Sequence, residues 1–332
     1  MNRFIKNIGI ILGVVFCCMA CEQQNEPEAK HIQLPKVGTP EYYANLRAYK
    51  RSNHQLAFGW LGGWTAYGAS ECNYLRSVPD SVDIVSIWGE WSNRNKEQLE
   101  DLRHIQEVKG TKVTFTVFAH ALPVRYEPTD AGIEKYAADL CDSIVKYGYD
   151  GLDLDYEPGF GGKGFFINPD DDTSTKLSEK GRHNMEVLCR SLSQKIGPAS
   201  ATGKLFVIDG VPFELNEGLA ELFDYGIVQS YNSTGDTDLQ NRFNNAYKNG
   251  WKPEQYIFTE NFEDFWRTGG RTNFKDKDGN EMPSLEGMAR FQPTQGLKGG
   301  CGTYHMEYEY RHEDVDYKYL RNAIQIMNPA VK

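Results

Sequence analysis

Short apolar runs recur along the chain from about His54, and each has the length of one β-strand. Eight such runs follow one another: QLAFGWLGGW (55–64), VDIVSIWGEW (82–91), KVTFTVFAH (112–120), YDGLDLDYE (149–157), KLFVIDGVP (204–212), YGIVQSYN (225–232), QYIFTENFE (255–263) and GGCGTYHMEY (299–308). Stretches of helical character separate most of them, as expected of parallel strands joined by crossover helices. The pattern favours a single-domain (β/α)₈ TIM barrel over a doubly wound sheet, which has fewer strands and usually a Gly-rich phosphate turn.

The clearest predicted helix runs from about Thr129 to Tyr147. Its apolar residues form one continuous stripe at helical spacing: Ile133, Tyr136, Ala137, Leu140 and Ile144. Thr129 is suited to cap its beginning and Gly148 to end it. A second helix is predicted over residues 178–196.

The N-terminus has the layout of a secretory signal, with Arg3 and Lys6 before an apolar run that is too short to span a bilayer. The following CMAC resembles the lipobox of bacterial lipoproteins, which implies cleavage before Cys21 and lipid attachment to its sulfur. The acidic stretch after Cys21 resembles the export signals of surface lipoproteins in some Gram-negative bacteria. We therefore expect a signal peptide over 1–20, a lipidated Cys21 with a flexible tether over 21–48, and a catalytic barrel over 49–332. The alternative is an ordinary cleaved signal followed by a disordered tail.

Charge and cysteine content narrow the function classes. Acidic residues outnumber basic ones by 46 to 36, and no basic stripe follows the chain, so nucleic acid is not an expected partner. No C-x-x-C occurs after Cys21, so zinc and redox chemistry lack their usual signature, and no cofactor or metal is expected. Four cysteines, Cys72, Cys141, Cys189 and Cys301, could be disulfide partners or buried small hydrophobes.

The fourth run, DGLDLDYE, contains acids where apolar residues belong. Because strand side chains alternate between faces, Asp153, Asp155 and Glu157 share one face, and apolar residues occupy the other. Crowding and burial raise the pKa of at least one carboxyl, so a proton is shared within the row. Glu157 lies at the carboxyl end of the strand, where barrel enzymes place their active sites, and is its expected holder. A solvated acidic edge and a calcium site fit less well, since the intervening residues are apolar and ligands along a straight strand converge poorly.

DGLDLDYE matches the D-G-x-D-x-D-x-E signature of glycoside hydrolase family 18, and the chain resembles that family. The resemblance implies a (β/α)₈ barrel and retaining, substrate-assisted hydrolysis, in which the 2-acetamido oxygen of the substrate attacks the anomeric carbon. It implies that Glu157 is the general acid and base, that Asp155 orients the acetamido group and stabilises the oxazolinium ion, and that Asp153 tunes Asp155. Asp150 is out of phase with the row, and we expect it to be structural.

The sixth run distinguishes subgroups of this family. Chitinases usually carry S-x-G-G on the third strand and M-x-Y-[DN] on the sixth, whereas this chain has VTFTVFAH and QSYN. The Gln229–Tyr231 pair resembles endo-β-N-acetylglucosaminidases, which cut between the two core N-acetylglucosamines of N-linked glycans. By that resemblance Tyr231 donates to the acetamido carbonyl and Gln229 helps to hold the reacting sugar. The alternative is a packed tyrosine beside a capped amide.

Other residues near the predicted strand ends are candidates for substrate binding: Trp60, Trp88, Trp91, Asn232, Asn261 and Tyr304. Each of the tryptophans could equally belong to the core. The leading hypothesis is an outer-membrane lipoprotein, exposed at the cell surface, that releases N-linked glycans from glycoproteins. A chitinase or chitooligosaccharide hydrolase and a non-catalytic glycan-binding protein on the same barrel are the alternatives.

Overall fold

In a computed structural model, which describes residues 37–330, eight parallel strands close into a barrel. The strands are β1 (Leu56–Gly62), β2 (Ile84–Trp88), β3 (Lys112–Phe118), β4 (Gly151–Tyr156), β5 (Leu205–Gly210), β6 (Tyr225–Gln229), β7 (Tyr256–Asn261) and β8 (Gly300–Tyr304). They follow chain order around the barrel, and β8 pairs with β1 to close it. The predicted TIM barrel is confirmed, with each strand inside one of the eight apolar runs.

Helices cover the outside of the strands. They are α1 (Pro40–Lys50), α2 (Lys96–His104), α3 (Asp130–Tyr147), α4 (Glu179–Ser193), α5 (Asp236–Lys248), α6 (Phe262–Phe265), α7 (Ser284–Arg290) and α8 (Lys318–Met327). Short 3₁₀ turns replace a full helix in two connections, with Glu71–Asn73 and Leu75–Ser77 between β1 and β2, and Pro212–Glu214 and Ala220–Leu222 between β5 and β6. A small antiparallel hairpin, Phe274–Lys275 with Glu281–Met282, lies between α6 and α7.

The two helices predicted from sequence are present as α3 and α4. The Thr129 side chain accepts a hydrogen bond from the Gly132 N–H, and Gly148 ends α3 in the left-handed conformation at φ 75°. Ser178 caps α4 in the same way, through the Gly181 N–H. The caps predicted at Thr129 and Gly148 are confirmed, because each depends on a residue type at a fixed distance from an apolar stripe.

The chain divides by its contacts into residues 1–42 and a unit that begins at Tyr43 and contains the barrel. Helix α1 occupies the last part of the segment expected to be a flexible tether. Leu46 is buried, the Arg47 guanidinium donates to the Val108 carbonyl at 2.7 Å, and Lys50 donates to the Thr111 hydroxyl at 2.7 Å. Through these contacts the unit that contains the barrel begins before residue 49.

The signal peptide, Cys21 and most of the tether lie outside the described residues. Within residues 37–330, no helix combines the length and the hydropathy that a membrane span requires. The cysteines after Cys21 lie within the described part. Cys72, Cys141, Cys189 and Cys301 are all unpaired and buried, so they act as small hydrophobes.

Two separate apolar layers stabilise the barrel. The larger lies between strands and helices. The smaller fills the barrel interior toward the amino ends of the strands and consists of Phe58, Trp60, Ile84, Val207, Ile227 and Ile257. Because the interior packing is apolar toward the amino ends of the strands, polar side chains collect toward the carboxyl ends. The fold therefore directs polar chemistry to one mouth of the barrel.

Asp101 of α2 fastens the connection between β1 and β2. Its buried carboxylate accepts the Trp64 indole N–H at 2.9 Å and the backbone N–H groups of Leu75 at 2.7 Å and Arg76 at 3.1 Å. Because the connection between β1 and β2 contains only short turns, these hydrogen bonds to the Asp101 carboxylate hold much of it in place.

We expect Asp101→Ala to lower the free energy of unfolding by about 3 kcal/mol, because three donors lose a charged acceptor and two of them are buried. Urea unfolding followed by circular dichroism measures the change. Asp142→Ala on the exposed face of α3 is the matched control and should stay within about 0.5 kcal/mol of the parent. Equal stability of the two variants would contradict the role given to Asp101.

Candidate active site

The acidic row of β4 points into the barrel at the carboxyl end of the strand. Asp153 and Asp155 are buried, with relative exposures of 0% and 1%, and Glu157 follows the strand as a partly exposed residue. Leu152, Leu154 and Tyr156 face the helices in the outer core. The alternation therefore places three carboxyl groups in one column that rises from the interior to the mouth.

Asp153 is the deepest of the three and is held by neighbouring strands. The Trp60 indole N–H on β1 donates to Asp153 Oδ2 at 2.9 Å, and the Thr116 hydroxyl on β3 donates to the same oxygen at 3.2 Å. The hydroxyls of Ser86 and Thr116 lie 2.8 Å apart and extend this network to β2. Burial nevertheless raises the pKa of Asp153 to about 6, with these hydrogen bonds opposing the rise.

A fourth interior acid, Asp209 on β5, completes the cluster. It is the register partner of Asp155 across the β4–β5 pair and is fully buried. Its carboxyl is within hydrogen-bonding reach of both Asp153 and Asp155. Asp209 was not among the residues predicted from sequence. The signal that could have indicated it is a lone aspartate inside the apolar run KLFVIDGVP.

The interior acids combine buried oxygens that no donor reaches with raised pKa values. Among the described residues, Asp153 Oδ1, Asp155 Oδ1 and Asp209 Oδ2 are buried side-chain oxygens without a hydrogen-bond donor. Burial first, and then the charges of neighbouring carboxylates, raise the pKa values of Asp155 and Asp209 well above their usual range. A proton held between two neighbouring carboxyl groups accounts for both findings.

Glu157 is the member of the row that reaches the mouth. Its pKa is raised chiefly by burial, and a hydrogen bond from Gln229 partly opposes the rise. The Gln229 amide also donates to Asp209 Oδ1 at 3.0 Å. Gln229 therefore connects the terminal acid to the interior cluster, and Glu157 has the raised pKa that suits a general acid.

Tyr231 lies beside these acids, two residues beyond Gln229. Burial raises its pKa well above the usual value, and the carboxyl groups of Asp209 and Asp155 add to the effect, so its hydroxyl keeps its proton. The Tyr231 ring stacks on Tyr304 of β8, with centroids 6.0 Å apart and planes at 25°. The predicted group Glu157, Asp155, Asp153, Gln229 and Tyr231 is thus brought together by β4 and β6.

Aromatic rings continue from Tyr304 toward β3. The centroid of Tyr304 lies 5.1 Å from that of Trp88, which lies 5.2 Å from Phe118. Phe118 is 53% exposed, and a cavity of about 420 Å³ opens beside it, lined in part by Trp88 and His120. Trp88 therefore lies beside a cavity where a sugar ring could pack, with Tyr304 in edge contact with it, and Phe118 is a further exposed aromatic that the sequence pattern did not indicate.

Two tryptophans proposed as substrate contacts pack against other residues of the barrel. Trp60 is 1% exposed inside the barrel, where its indole holds Asp153. Trp91 lies in the layer between strands and helices, because its ring stacks on Phe115 with centroids 4.2 Å apart. The structure gives Trp60 a positioning role, whereas Trp91 packs in the outer layer and also lines the cavity beside Phe118.

The two candidate asparagines lie at strand ends. Asn232 is exposed immediately after Tyr231, and its side-chain oxygen accepts from Arg271 at 3.2 Å. Asn261 ends β7 and caps α6 by accepting the Glu263 N–H at 2.9 Å. Asn232 can reach a ligand at the mouth, whereas the side chain of Asn261 is engaged in the cap.

The arrangement suits acid–base chemistry carried out by protein side chains. Across residues 37–330, no group of three or more His, Cys, Asp or Glu side chains is arranged to hold a metal ion. A partly exposed acid of raised pKa lies above an interior carboxyl cluster, with a protonated phenol and an amide beside it. Such a site can protonate a leaving oxygen and stabilise an adjacent positive charge.

The raised pKa of Asp153 predicts a pH-dependent stability. The folded protein binds this proton more tightly than the unfolded chain, so stability falls as pH rises from about 4 to about 6. Asp153→Asn has no such proton to lose. We therefore expect its free energy of unfolding, relative to that of the parent, to rise by on the order of 2 kcal/mol between pH 4.5 and 7.5. Urea unfolding at a series of pH values measures it, with the exposed Asp142→Asn as control. Parallel stability curves for parent and Asp153→Asn would show that Asp153 titrates normally.

Comparisons with known proteins identify the family of the chain. The family model described as glycoside hydrolase family 18, BT1044-like, matches residues 24–130 and 124–326. A solved structure of BT1044, a selenomethionine protein with one Glu-to-Gln substitution, is 32% identical and superposes with a TM-score of 0.76, covering 88% of this chain and 94% of that one. Endo-β-N-acetylglucosaminidase F2 of Elizabethkingia meningoseptica is 25% identical over 305 residues, which are 86% of this chain and 85% of the relative.

More distant structures share the fold. An endo-β-N-acetylglucosaminidase from Cordyceps militaris superposes with a TM-score of 0.66 at 22% identity, covering 89% of this chain and 98% of that one. At this identity the likeness concerns the barrel alone. The match of the family model over most of the chain, together with the acidic row that the structure aligns on β4, identifies the protein as a member of glycoside hydrolase family 18, BT1044-like.

Proposed function

We propose that this protein is an endo-β-N-acetylglucosaminidase that cuts N-linked glycans between their two core N-acetylglucosamines. The observation that carries the proposal is the position of Glu157, an acid of raised pKa at the barrel mouth, hydrogen-bonded to Gln229 and close to Tyr231. The similarity to endo-β-N-acetylglucosaminidase F2 supports the choice of substrate class.

The geometry supports substrate-assisted hydrolysis. Glu157 gives its proton to the glycosidic oxygen as the bond to the anomeric carbon breaks, and the substrate's acetamido oxygen bonds to that carbon to form an oxazolinium ion. Asp155 lies below Glu157 in the same column, where its negative charge stabilises the cation. The Tyr231 hydroxyl donates to the acetamido group and holds it in line.

The second half of the reaction uses the same acid as a base. Glu157, now ionised, takes a proton from a water molecule, and the oxygen of that water attacks the anomeric carbon while the oxazolinium ring opens. Two displacements at one carbon retain its configuration. The interior cluster assists because Asp153 and Asp209 can hold a proton away from Asp155 when the cation forms.

We expect Glu157→Gln to lower turnover by about three orders of magnitude or more with little change in substrate binding, because the acid acts only in the chemical step. The substrates are a high-mannose glycoprotein, a complex-type glycoprotein and chitin oligomers, and mass spectrometry identifies the products. Glu90→Gln, an exposed acid just beyond β2, is the matched control and should leave turnover unchanged.

The products separate the candidate functions. Free glycan that leaves one N-acetylglucosamine on the protein supports the proposal, and chitobiose from chitin oligomers as the main product indicates a chitinase. Binding without product indicates a glycan-binding protein. Normal turnover by Glu157→Gln would remove Glu157 from the mechanism.

We also propose that the enzyme is a lipoprotein of the outer membrane that displays its barrel at the cell surface. The support is the sequence CMAC with an acidic stretch after Cys21. An anchored enzyme at the surface would release glycans from glycoproteins that are too large to enter the cell.

We expect Cys21→Ala, expressed with its own signal in a Gram-negative host, to lose both incorporation of labelled fatty acid and recovery in the membrane fraction. Cys17→Ala is the matched control and should keep both. Protease added to intact cells should degrade the parent protein. Fatty-acid labelling of Cys21→Ala would exclude this cysteine as the lipid site, and protection from protease would place the barrel on the inner side of the membrane.

A further inference from the structure

Glu260 on β7 is a buried acid that lies outside the catalytic cluster. It shares the outward face of β7 with Tyr256 and Phe258, and its relative exposure is 0%. Its Oε1 accepts the backbone N–H groups of Asn232 and Asn261, each at 2.8 Å, and its Oε2 accepts the hydroxyl of Ser284. A glutamate in this layer would be costly without such donors, so the bonds must form for the fold to tolerate it.

One of these bonds fixes an unusual backbone conformation next to the site. Asn232 follows Tyr231 directly and has φ 57°, in the left-handed region, which asparagine adopts more readily than other non-glycine residues. Such a residue persists where surrounding contacts determine it. The bond from its N–H to Glu260 is such a contact, and it sets the direction in which the chain leaves Tyr231.

The other end of the same turn is also tied to β7. The Ser230 hydroxyl donates to the Thr259 carbonyl at 3.2 Å, and the Thr259 N–H donates back to Ser230 Oγ at 3.2 Å. Tyr231 therefore stands between two residues whose positions β7 controls. Its side chain extends into the mouth, while its backbone has these fixed points on either side.

Glu260 also connects this turn to the rim. Ser284 accepts the Arg271 N–H at 2.8 Å, and the Arg271 guanidinium donates to the Asn232 side chain at 3.2 Å. Gly270 makes room for the network, because a Cβ there would lie 2.0 Å from Ser284 Oγ and 3.1 Å from Glu260 Cγ. The carboxylate lies at the centre of a closed loop of contacts around Asn232.

We propose that Glu260 is a positioning residue for hydrolysis, which acts by holding the turn at Asn232 and thereby the Tyr231 hydroxyl against the substrate's acetamido group. The inference rests on the proposed function, since it needs Tyr231 to contact that group. Displacement of a catalytic hydroxyl by about 1 Å can cost on the order of 100-fold in rate, so the effect should fall on kcat.

A double-mutant cycle between Glu260 and Tyr231 tests this role. We expect Glu260→Ala to lower kcat about 30-fold with KM changed less than about threefold, and Tyr231→Phe to lower kcat by a similar or larger factor. In the Tyr231→Phe background, Glu260→Ala should cost less than about threefold, because the hydroxyl that Glu260 positions is already gone. If the two factors by which kcat falls multiply in the double variant, Glu260 acts independently of Tyr231, and the proposal is overturned.

Two further variants separate positioning from stability. Glu260→Gln keeps an acceptor for both N–H groups, and Ser284 can accept from the new amide, so kcat should recover to within about threefold of the parent. Glu309 is the matched control, since it is also 0% exposed and accepts the backbone N–H groups of Tyr319 and Leu320. Glu309→Ala should lower the melting temperature as Glu260→Ala does, while leaving kcat of the folded enzyme within about twofold.

A second readout needs no turnover. Calorimetry measures the affinity of a thiazoline analogue of the oxazolinium ion for the four proteins of the cycle, which are the parent, the two single variants and the double variant. Non-additive losses of affinity support the positioning role even if the enzyme cuts a different N-acetylglucosaminide. Additive losses in both kcat and affinity would reject the role of Glu260 while leaving the proposed function intact. A parent protein that neither cuts a substrate nor binds the analogue would overturn both.

Discussion

The cost of burying carboxyl groups inside a closed barrel governs the chemistry of this protein. Asp155 and Asp209 face each other in register across β4 and β5, and Asp153 lies one step deeper. Water cannot solvate three ionised groups there, so the strands must either supply donors or leave protons on the acids. The barrel does both, since Trp60 and Thr116 donate to one oxygen of Asp153 while other oxygens face carboxyl groups.

This constraint explains how the two ends of the barrel differ. Apolar side chains such as Phe58, Val207 and Ile227 exclude water below the acids, which keeps their pKa values high. Above the acids, Glu157 is partly exposed and can exchange its proton with substrate and solvent. Gln229 joins the two levels, because its amide contacts both Asp209 and Glu157. A gradient of solvation along one strand thus gives chemically similar acids different protonation behaviour.

The fold and the acidic row were predictable from sequence because both depend on periodicity within one segment. Strand alternation assigns Asp153, Asp155 and Glu157 to one face without knowledge of any other strand. Asp209 was missed because a single aspartate in an apolar run is a weak local signal, and its importance depends on its register opposite Asp155, which the sequence of one strand does not show. The placement of Trp91 depended on where β2 ends. The strand stops at Trp88, and the following turn carries Trp91 to the outer layer, a change of direction that no alternation predicts.

The buried acids outside the cluster show why a raised pKa alone does not identify a catalytic group. Burial raises the pKa of Glu309 to about 7, above that of Asp153, yet both oxygens of Glu309 accept backbone N–H groups at the start of α8. Glu260 likewise has donors on both oxygens. The interior aspartates differ because each keeps one buried oxygen with no donor except a neighbouring acid. An acid whose oxygens are all satisfied by fixed donors stabilises the structure around it, whereas an acid that must share a proton with its neighbours is prepared to transfer one.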